Sequence, residues 1–428
     1  MGSSPSVGSK NSPNYRGFFI DMKYNIITLG CKVNQYESSI LKSALDSIGF
    51  VYSEKKPDII IVNTCSVTES AIRKDRRIVN KIKKDNPKAK LYVMGCLVRV
   101  DENASEYLKA DKASRSVEAL EILNDFGLGD LVSDNNLEQY GTFDRSRYFI
   151  KIQDGCEQFC SYCIIPFVRG KMQSRKEMDI ISEIEKAVNR GYGEIVLSGI
   201  HIGLYGKEHG NEEKTSLAKL LKKIIEIKKD FRIRISSIEI TEVNNELIAM
   251  MAESDKICKH LHISLQSGSD NILRAMNRPY DRAYFKKRIE KIRKEIPNIA
   301  ISTDIIVGFP GETEKEFENT CQFAKEIEFS KIHVFSFSAH KKTKAYNLAG
   351  HLEKSEKQKR SSVLRGISSE LEKKYKKKFH GQELGIVVEK FDDKYIYGKS
   401  EFHFDVKINK NTINKGDLKS GKLLNIQN

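Results

Sequence analysis

The sequence predicts an α/β protein built from three parts: a parallel α/β domain, a partial (β/α)6 barrel and a small C-terminal β-barrel. Its 428 residues exceed the length of one ordinary domain, so two or three domains are expected. Continuously apolar runs alternate with helical periods as far as Ser338, which is typical of parallel sheets covered on both faces. Short runs of alternating polarity follow in residues 381–428 and indicate the small β module.

The first part, residues 22–140, contains three buried-strand runs separated by helical segments. Parallel strands need crossover connections, usually helices, so this order predicts a flavodoxin-like parallel sheet. The runs and helices are, in order, Tyr24–Leu29, Gln35–Ile48, Asp58–Val62, Thr68–Asp85 and Lys90–Met94.

The central part, residues 145–350, contains six strand-like runs that alternate with helices and suit an open, TIM-like (β/α)6 barrel. The strand runs are Tyr148–Gln153, Glu194–Leu197, Arg232–Ile238, His260–Leu265, Ile299–Val307 and Lys331–Phe337. The helices are predicted near Asp179–Asn189, Ser216–Lys229, Glu246–Ala252, Tyr284–Glu295 and Glu314–Ile327.

The last part begins with a basic helix over residues 354–380, which carries ten Lys and Arg against three Glu. Four short β runs then fill residues 381–428: Leu384–Glu389, Tyr395–Gly398, Phe404–Ile408 and Leu423–Ile426. Small barrels with basic loops commonly bind single-stranded or looped RNA. A purely structural cap on the central barrel is the alternative.

Composition narrows the class of protein. The formal net charge of +15 suggests a polyanionic partner such as nucleic acid, although a solvated basic surface is the simpler alternative. No apolar run approaches the ~18 residues of a membrane span, and no secretory signal is recognisable, so we expect no membrane partner. Eight cysteines without a disulfide framework favour a reducing, cytoplasmic compartment. Residues 1–21 are rich in Ser, Gly, Asn and Pro and are predicted to be a disordered leader.

Three cysteines on one short loop, Cys156, Cys160 and Cys163, directly follow the first barrel strand. Three thiolates can hold three corners of a cubane iron–sulfur cluster and leave the fourth iron open to a small molecule, whereas structural clusters normally use four. A zinc knuckle is the alternative, but no second cysteine pair follows at zinc-finger spacing.

A second regularity concerns the N-terminal domain, where Cys31, Cys65 and Cys96 each come just after a predicted strand. The carboxyl ends of parallel strands meet at one edge of a sheet, and open α/β sheets bind ligands there. Cysteine is also a common core residue, so one such position would carry little meaning. Three together predict a second three-cysteine cluster.

The CxxxCxxC loop resembles the radical SAM superfamily, and the order of modules resembles its methylthiotransferases. That likeness implies an auxiliary 4Fe-4S cluster in the N-terminal domain, a SAM-binding 4Fe-4S cluster in the barrel, and a C-terminal TRAM domain that binds RNA. One S-adenosylmethionine would donate the methyl group, and another would yield a 5′-deoxyadenosyl radical. The motifs that carry the likeness are Gly30-Cys31-Lys-Val-Asn34-Gln-Tyr-Glu37, Asn63-Thr64-Cys65-Ser66, Met94-Gly95-Cys96, His262-Ile-Ser264-Leu-Gln266-Ser267-Gly268, Met276-Asn-Arg278-Pro and Gly308-Phe-Pro310-Gly311-Glu312-Thr313.

The first of these motifs indicates the branch of the family. Cys31-Lys-Val-Asn34 followed by Glu37 is similar to the branch that methylthiolates C2 of N6-threonylcarbamoyladenosine at tRNA position 37. The sister branches, which act on isopentenyl-adenosine tRNA or a ribosomal-protein aspartate, are the alternatives within the class. A non-enzymatic iron–sulfur or zinc RNA-binding protein is the alternative outside it.

Candidate binding residues follow from strand ends and from the resemblance. Serine and glycine at strand ends let a cofactor approach the backbone closely, and this places SAM against six residues, with Arg278 as the partner of its carboxylate. These are Ser198, Gly199, Ser237, Gln266, Arg278 and Gly308. Asn34 and Glu37 are expected to contact the modified nucleoside, and Arg73, Arg76 and Arg77 to line an RNA path. Ordinary turn residues and a solvated helix face are the simpler explanations.

No catalytic residue is predicted beyond the cluster ligands, because a radical rather than an acid or base must break the carbon–hydrogen bond. The resemblance implies the tRNA anticodon loop as substrate and an electron donor such as a flavodoxin or ferredoxin. It leaves the sulfur donor open, and we expect a monomer. One element departs from the family, since His340 and Lys342 stand where it usually has Arg and Gly.

Overall fold

The computed structural model describes residues 22–129, 146–208, 215–410 and 419–427. The predicted leader, residues 1–21, lies outside the described residues, as does residue 428 at the end of the tail. The chain divides into two compact units. Among the described residues, the first holds 22–29, 37–65 and 73–129, and the second holds 30–36, 66–72 and everything from residue 146 onward. The domain limits predicted from the sequence stay predictions.

The N-terminal sheet has five parallel strands in the order β2-β1-β3-β4-β5. Its strands are β1 (Lys23–Thr28), β2 (Val51–Tyr52), β3 (Ile59–Thr64), β4 (Lys90–Gly95) and β5 (Lys112–Ala113). The helices of this part of the chain are α1 (Lys32–Ser47), α2 (Glu69–Asp85), α3 (Cys96–Val100), α4 (Ala104–Tyr107) and α5 (Ala119–Asp125). The three predicted strands and the two predicted helices are all present.

Burial explains why these runs become strands. All six residues of β3 and five of the six in β4 are buried, as expected for central strands with both faces covered. Tyr24, Leu41, Tyr92 and Phe126 belong to the core packed on this sheet. The predicted parallel α/β domain is therefore confirmed.

The second unit contains a barrel of parallel strands with interleaved helices. The strands of this unit are β6 (Tyr148–Lys151), β7 (Gln153–Asp154), β8 (Gln173–Ser174), β9 (Glu194–Ser198), β10 (Arg232–Ile235), β11 (Ser237–Ile238), β12 (His260–Ile263), β13 (Ala300–Val307) and β14 (Lys331–Ser336). Of these, β7 and β8 form a separate antiparallel pair. The helices are α6 (Ile165–Arg169), α7 (Glu177–Asn189), α8 (Leu217–Glu226), α9 (Asn245–Glu253), α10 (Asp270–Ala275), α11 (Arg282–Glu295), α12 (Glu314–Ile327) and α13 (Lys354–Lys377).

The barrel strands follow one another in chain order. One parallel sheet runs β6-β9-β10 and the next runs β11-β12-β13-β14. The run predicted as one strand, Arg232–Ile238, breaks at Ser236, whose N–H donates to the carbonyl of Leu197 at 3.0 Å. A parallel bridge pairs Ile233 of β10 with Ile257, which lies three residues before β12. The six predicted βα units are thus present.

The chain ends in a four-stranded antiparallel sheet in the order β17-β16-β15-β18. Its strands are β15 (Glu383–Phe391), β16 (Tyr395–Ser400), β17 (Asp405–Asn409) and β18 (Leu423–Gln427). The core of this sheet includes Ile386 and Phe404 and continues through Tyr375 of α13 to Ala300 of the barrel. None of the described helices is long and apolar enough to cross a bilayer.

Candidate active site

The cysteine loop lies between β7 and α6, after the first barrel strand. Gly155 adopts a φ of +74°, and a Cβ at this position would stand 1.9 Å from the carbonyl oxygen of Lys171. The N–H of Cys156 donates to the carbonyl of Gly170 at 3.1 Å, and the N–H of Cys163 donates to that of Cys160 at 3.0 Å. Backbone contacts therefore fix the start of the loop, and only glycine fits there.

Each of the first two sulfurs of this loop contacts a nitrogen-bearing side chain. Arg278 Nη1 lies 3.1 Å from Cys160 Sγ, and His201 Nδ1 lies 3.4 Å from Cys156 Sγ. Burial raises the pKa of the Cys160 thiol, and burial raises that of Cys163 to about 12. Buried thiols lose their protons readily only when a cation compensates the charge, and a bound metal supplies that compensation.

The residues of this loop fit an iron–sulfur cluster. Three soft thiol donors within eight residues match the ligands that such clusters use. Across the described parts of the chain, no group of three or more His, Cys, Asp or Glu side chains already stands in a metal-holding arrangement. A cluster on this loop is therefore indicated by the chemistry of the donors and of their surroundings.

A cavity of about 170 Å³ opens beside Cys163. Its walls are mostly apolar, and Gln266 and Asp304 add polar groups. Gln266 has a φ of +67°, which is rare for a residue other than glycine. Its N–H donates to the carbonyl of Asp304 at 2.8 Å and its own carbonyl accepts from Ile306 at 2.9 Å, so the strained backbone is held by β13. The cavity combines an apolar wall, a few polar groups and a thiol, as small-molecule sites do.

Comparison with known proteins shows the family to which this chain belongs. Residues 150–324 match the Radical SAM superfamily and residues 23–117 match a family described as Uncharacterized protein family UPF0004. The chain is 36% identical to the threonylcarbamoyladenosine tRNA methylthiotransferase MtaB of Thermotoga maritima, with 85% of this chain and 86% of the relative covered. It is 33% identical to the tRNA-2-methylthio-N(6)-dimethylallyladenosine synthase of Carboxydothermus hydrogenoformans, with 95% and 99% covered. The chain belongs to the radical SAM methylthiotransferase family.

A solved structure supports the fold of this methylthiotransferase. The radical S-adenosylmethionine methyltransferase TsrM from Kitasatospora setae matches with a TM-score of 0.55, at 12% identity, over 76% of this chain and 77% of that one. At this identity the match concerns the fold alone.

The other residues predicted to bind SAM occupy several environments. The Ser198 hydroxyl donates to the carbonyl of Ile150 at 2.9 Å, and Ser237 is exposed at the start of β11. A Cβ on Gly199 would stand 2.7 Å from the carbonyl of Gln153, which keeps this turn narrow. Gly308 has a φ of +73° and begins the turn before α12. Of the six predicted residues, Gln266 lines the cavity, and the roles of all six toward SAM stay predictions.

Arg278 was predicted to pair with the SAM carboxylate, and in the structure it pairs with a carboxylate of the chain itself. Its Nη2 contacts Glu239, and its Nε lies 3.2 Å from the hydroxyl of Tyr280. The arginine side chain is 1% exposed, so it is held deep beside the cysteine loop.

The N-terminal cysteines lie where the sequence predicted, after strands that are neighbours in one parallel sheet. Cys31 follows β1 after a short turn and is exposed, Cys65 directly follows β3, and Cys96 is the buried first residue of α3 after β4. The thiol of Cys31 donates to Asn34 Oδ1 at 3.2 Å, and the N–H of Cys65 donates to Asp75 Oδ2 at 2.6 Å. Their joint binding of a cluster stays a prediction.

The predicted substrate residues differ in exposure. Asn34 and Glu37 are buried, at 1% and 4% exposure, and Asn34 Oδ1 accepts from Arg169 at 3.3 Å. Direct contact of either with a nucleoside therefore stays a prediction. Arg73, Arg76 and Arg77 are exposed on α2, and we call them the arginine face.

Sequence reasoning missed a basic aromatic surface on the C-terminal sheet. Lys407 Nζ lies 3.8 Å from the ring centroid of Tyr395 and 5.8 Å from that of Tyr397, and Lys390 Nζ lies 5.0 Å from the second ring. We call these four residues the tyrosine–lysine face. The signal is the alternate placement of Tyr395 and Tyr397 in β16, with a lysine in each of the neighbouring strands β15 and β17, a pattern that predicts only strands.

Sequence reasoning also missed His201, Glu239 and Glu242 around the cysteine loop. His201 is 6% exposed, and its Nε2 contacts Glu242. Burial opposes protonation of His201, but hydrogen bonds to Cys156 and Glu242 raise its pKa to about 10. No spacing connects these residues to the cysteines, so only the fold brings them together.

Proposed function

We propose that this methylthiotransferase modifies C2 of N6-threonylcarbamoyladenosine at position 37 of tRNA, giving the 2-methylthio derivative. The observation that carries the proposal is the 36% identity, over 86% of its length, to a curated enzyme named for that substrate. The relative named for dimethylallyladenosine stands at 33%, so a sister substrate is the second candidate. The motif Cys31-Lys-Val-Asn34 favours the first.

The cysteine loop and the adjoining cavity form the proposed SAM site. Cys156, Cys160 and Cys163 would hold the first 4Fe-4S cluster, which with SAM supplies the radical that removes hydrogen from an unreactive carbon. The mostly apolar wall of the cavity would limit the access of water to a bound cofactor, and Gln266 and Asp304 would offer it polar contacts. Ser198, Gly199, Ser237, Gly308 and Arg278 are proposed as further contacts for SAM.

The N-terminal cysteines form the proposed sulfur site. Cys31, Cys65 and Cys96 would hold the second 4Fe-4S cluster, which the family resemblance assigns to sulfur insertion. A second SAM would donate the methyl group.

Two basic surfaces are proposed to bind the anticodon loop. The arginine face offers cations to phosphates, and the tyrosine–lysine face offers both cations and aromatic rings on which unpaired bases stack. Asn34 and Glu37 are proposed to contact the modified nucleoside. A flavodoxin or ferredoxin would supply electrons, and we expect a cytoplasmic monomer whose sulfur source is a separate question.

The test is anaerobic reconstitution with iron and sulfide, followed by reaction with tRNA carrying either threonylcarbamoyl-adenosine or isopentenyl-adenosine at position 37. Nucleosides are then analysed by mass spectrometry. We expect methylthiolation of the first tRNA and little of the second. Exclusive reaction with the second would move the enzyme to the sister branch, and zinc in place of iron with no SAM cleavage would refute both.

Cysteine variants separate the two proposed clusters. Alanine at any of Cys156, Cys160 and Cys163 is expected to abolish SAM cleavage and product together. Alanine at any of Cys31, Cys65 and Cys96 is expected to abolish the methylthio product while 5′-deoxyadenosine still forms. Retained product would remove that cysteine from the scheme.

A further inference from the structure

Arg278 is aimed at a sulfur of the cysteine loop. Its Nη1 lies 3.1 Å from Cys160 Sγ. Guanidinium only donates hydrogen bonds and stays charged at any relevant pH, so the sulfur is the acceptor of this contact. The side chain is 1% exposed, so water does not screen the charge.

Other contacts hold this guanidinium in place. Its Nη2 contacts the carboxylate of Glu239, and its Nε donates to the Tyr280 hydroxyl at 3.2 Å. That hydroxyl donates in turn to the carbonyl of Ser264 at 2.8 Å. Arginine buried at such a position needs carboxylate and hydrogen-bond partners, and both are present.

The neighbouring sulfur has a similar arrangement. His201 Nδ1 lies 3.4 Å from Cys156 Sγ, and Glu242 contacts the opposite ring nitrogen. Glu239 directly precedes a single 3-10 segment, Ile240–Glu242, and Glu242 ends it, so one short stretch of chain contacts both nitrogen-bearing side chains. This repetition at two sulfurs argues against an accidental contact.

We propose that Arg278 sets the reduction potential of the cluster held by Cys156, Cys160 and Cys163, through its hydrogen bond to the Cys160 sulfur. The proposal rests on the proposed function only in assuming a cluster on this loop. Reduction adds one electron from the external donor and transfers no atom, so the cluster gains one negative charge. A cationic donor on a ligand sulfur stabilises that charge and raises the potential. Arg278 is thus a positioning residue for electron entry.

The experiment uses the full-length chain carrying Cys31→Ala, Cys65→Ala and Cys96→Ala, so that a single cluster is reduced. The potential is measured by redox titration with electron paramagnetic resonance, without SAM. Arg278→Gln is expected to shift the potential to more negative values. Glu239→Gln is expected to shift it the opposite way, because it removes the anion that offsets the guanidinium charge.

A matched control and a double variant complete the design. Arg282→Gln, four residues along the chain and paired with Asp270, is expected to leave the potential unchanged. Arg278→Gln alone leaves the Glu239 carboxylate without its partner, which could prevent folding. The double variant Arg278→Gln/Glu239→Gln removes both charges and avoids this problem. Relative to Glu239→Gln, the double variant is expected to show a negative shift.

The opposing result is well defined. If Arg278→Gln, or the double variant compared with Glu239→Gln, retains its iron and keeps the same potential, the proposal is wrong. Weakened SAM binding with an unchanged potential would overturn the proposal and leave Arg278 only its proposed role as a contact for SAM. Because no tRNA enters the measurement, failure of the proposed tRNA substrate would be seen separately in nucleoside analysis.

Discussion

Replacing Glu194 with Gln is expected to weaken the attachment of the C-terminal sheet to the barrel strand β10. Glu194 is fully buried in β9 and accepts hydrogen bonds from Arg232 Nε at 2.7 Å and from Arg234 Nε at 2.8 Å. The same guanidinium groups donate to backbone carbonyls of the C-terminal sheet, at distances of 2.7–3.0 Å. Glutamine removes the carboxylate to which both buried arginines bind directly.

The magnitude follows from the burial of the cluster. Removing one partner from a buried ion pair costs about 3–5 kcal/mol, which at 1.4 kcal/mol per decade is roughly a hundred-fold to several-thousand-fold in an opening equilibrium. Hydrogen exchange at the amides of β15 and β16 is the measurement, and protection there is expected to fall by this factor. The amides of β3 serve as an internal reference.

A control variant tests whether loss of any carboxylate, buried or exposed, has the same effect on exchange. Glu326→Gln breaks an exposed pair with Lys286 and is expected to leave exchange in β15 and β16 unchanged. A loss of protection below about ten-fold in Glu194→Gln would show that the two arginines do not depend on this carboxylate. That result would refute the reasoning.

Three further predictions follow from the same structure. Burial opposes ionisation of Glu194, but Arg234 and Arg232 hold its pKa well below the usual 4.5, so its stabilisation is present above pH 4.5 and is lost as pH falls through the folded value. Urea unfolding of the wild type and of Glu194→Gln should therefore converge in acid. Gly155→Ala is expected to abolish iron binding at the cysteine loop, because the added Cβ would collide with the carbonyl of Lys171. Gly170→Ala is the control and should retain iron, because Gly170 has a similar φ of +70° but no atom within 4 Å of the added Cβ. Equal iron contents in the two variants would contradict this prediction. Alanine at all three positions of the arginine face should weaken tRNA binding. If each arginine contacts a phosphate, the slope of log K against log salt concentration should fall in magnitude by roughly 3. An unchanged slope would show that these arginines face solvent and do not bind tRNA.

The strands and helices were largely predictable because burial on both faces leaves a continuous apolar signature. β3 is such a run. The predicted limits of α12, Glu314–Ile327, are those observed, and a capping box formed by Thr313 and Glu316 fixes the start of this helix. The short elements were missed. Helices such as α6 and α10 span five or six residues, too few for a helical period to be recognised.

Site residues could be predicted from the sequence only where their spacing along the chain indicates a function. The cysteine loop is local, so its ligands could be identified from the sequence. The contact between Arg278 and Cys160 joins positions 118 residues apart, and no local pattern encodes it. The strand Arg232–Ile235 alternates charge and apolarity as an exposed strand does, yet both arginines are buried because Glu194 compensates them.

The attachment of the C-terminal sheet has a consequence for its evolution. The guanidinium groups of Arg232 and Arg234 reach main-chain oxygens of Gly385, Lys399, Ser400 and Glu401, and every amino acid presents such an oxygen. The docking surface of the tail is thus largely indifferent to side-chain identity in these contacts. A C-terminal sheet of different sequence but the same backbone path should therefore dock on the same two arginines, which would leave the side chains of its outer face free to vary.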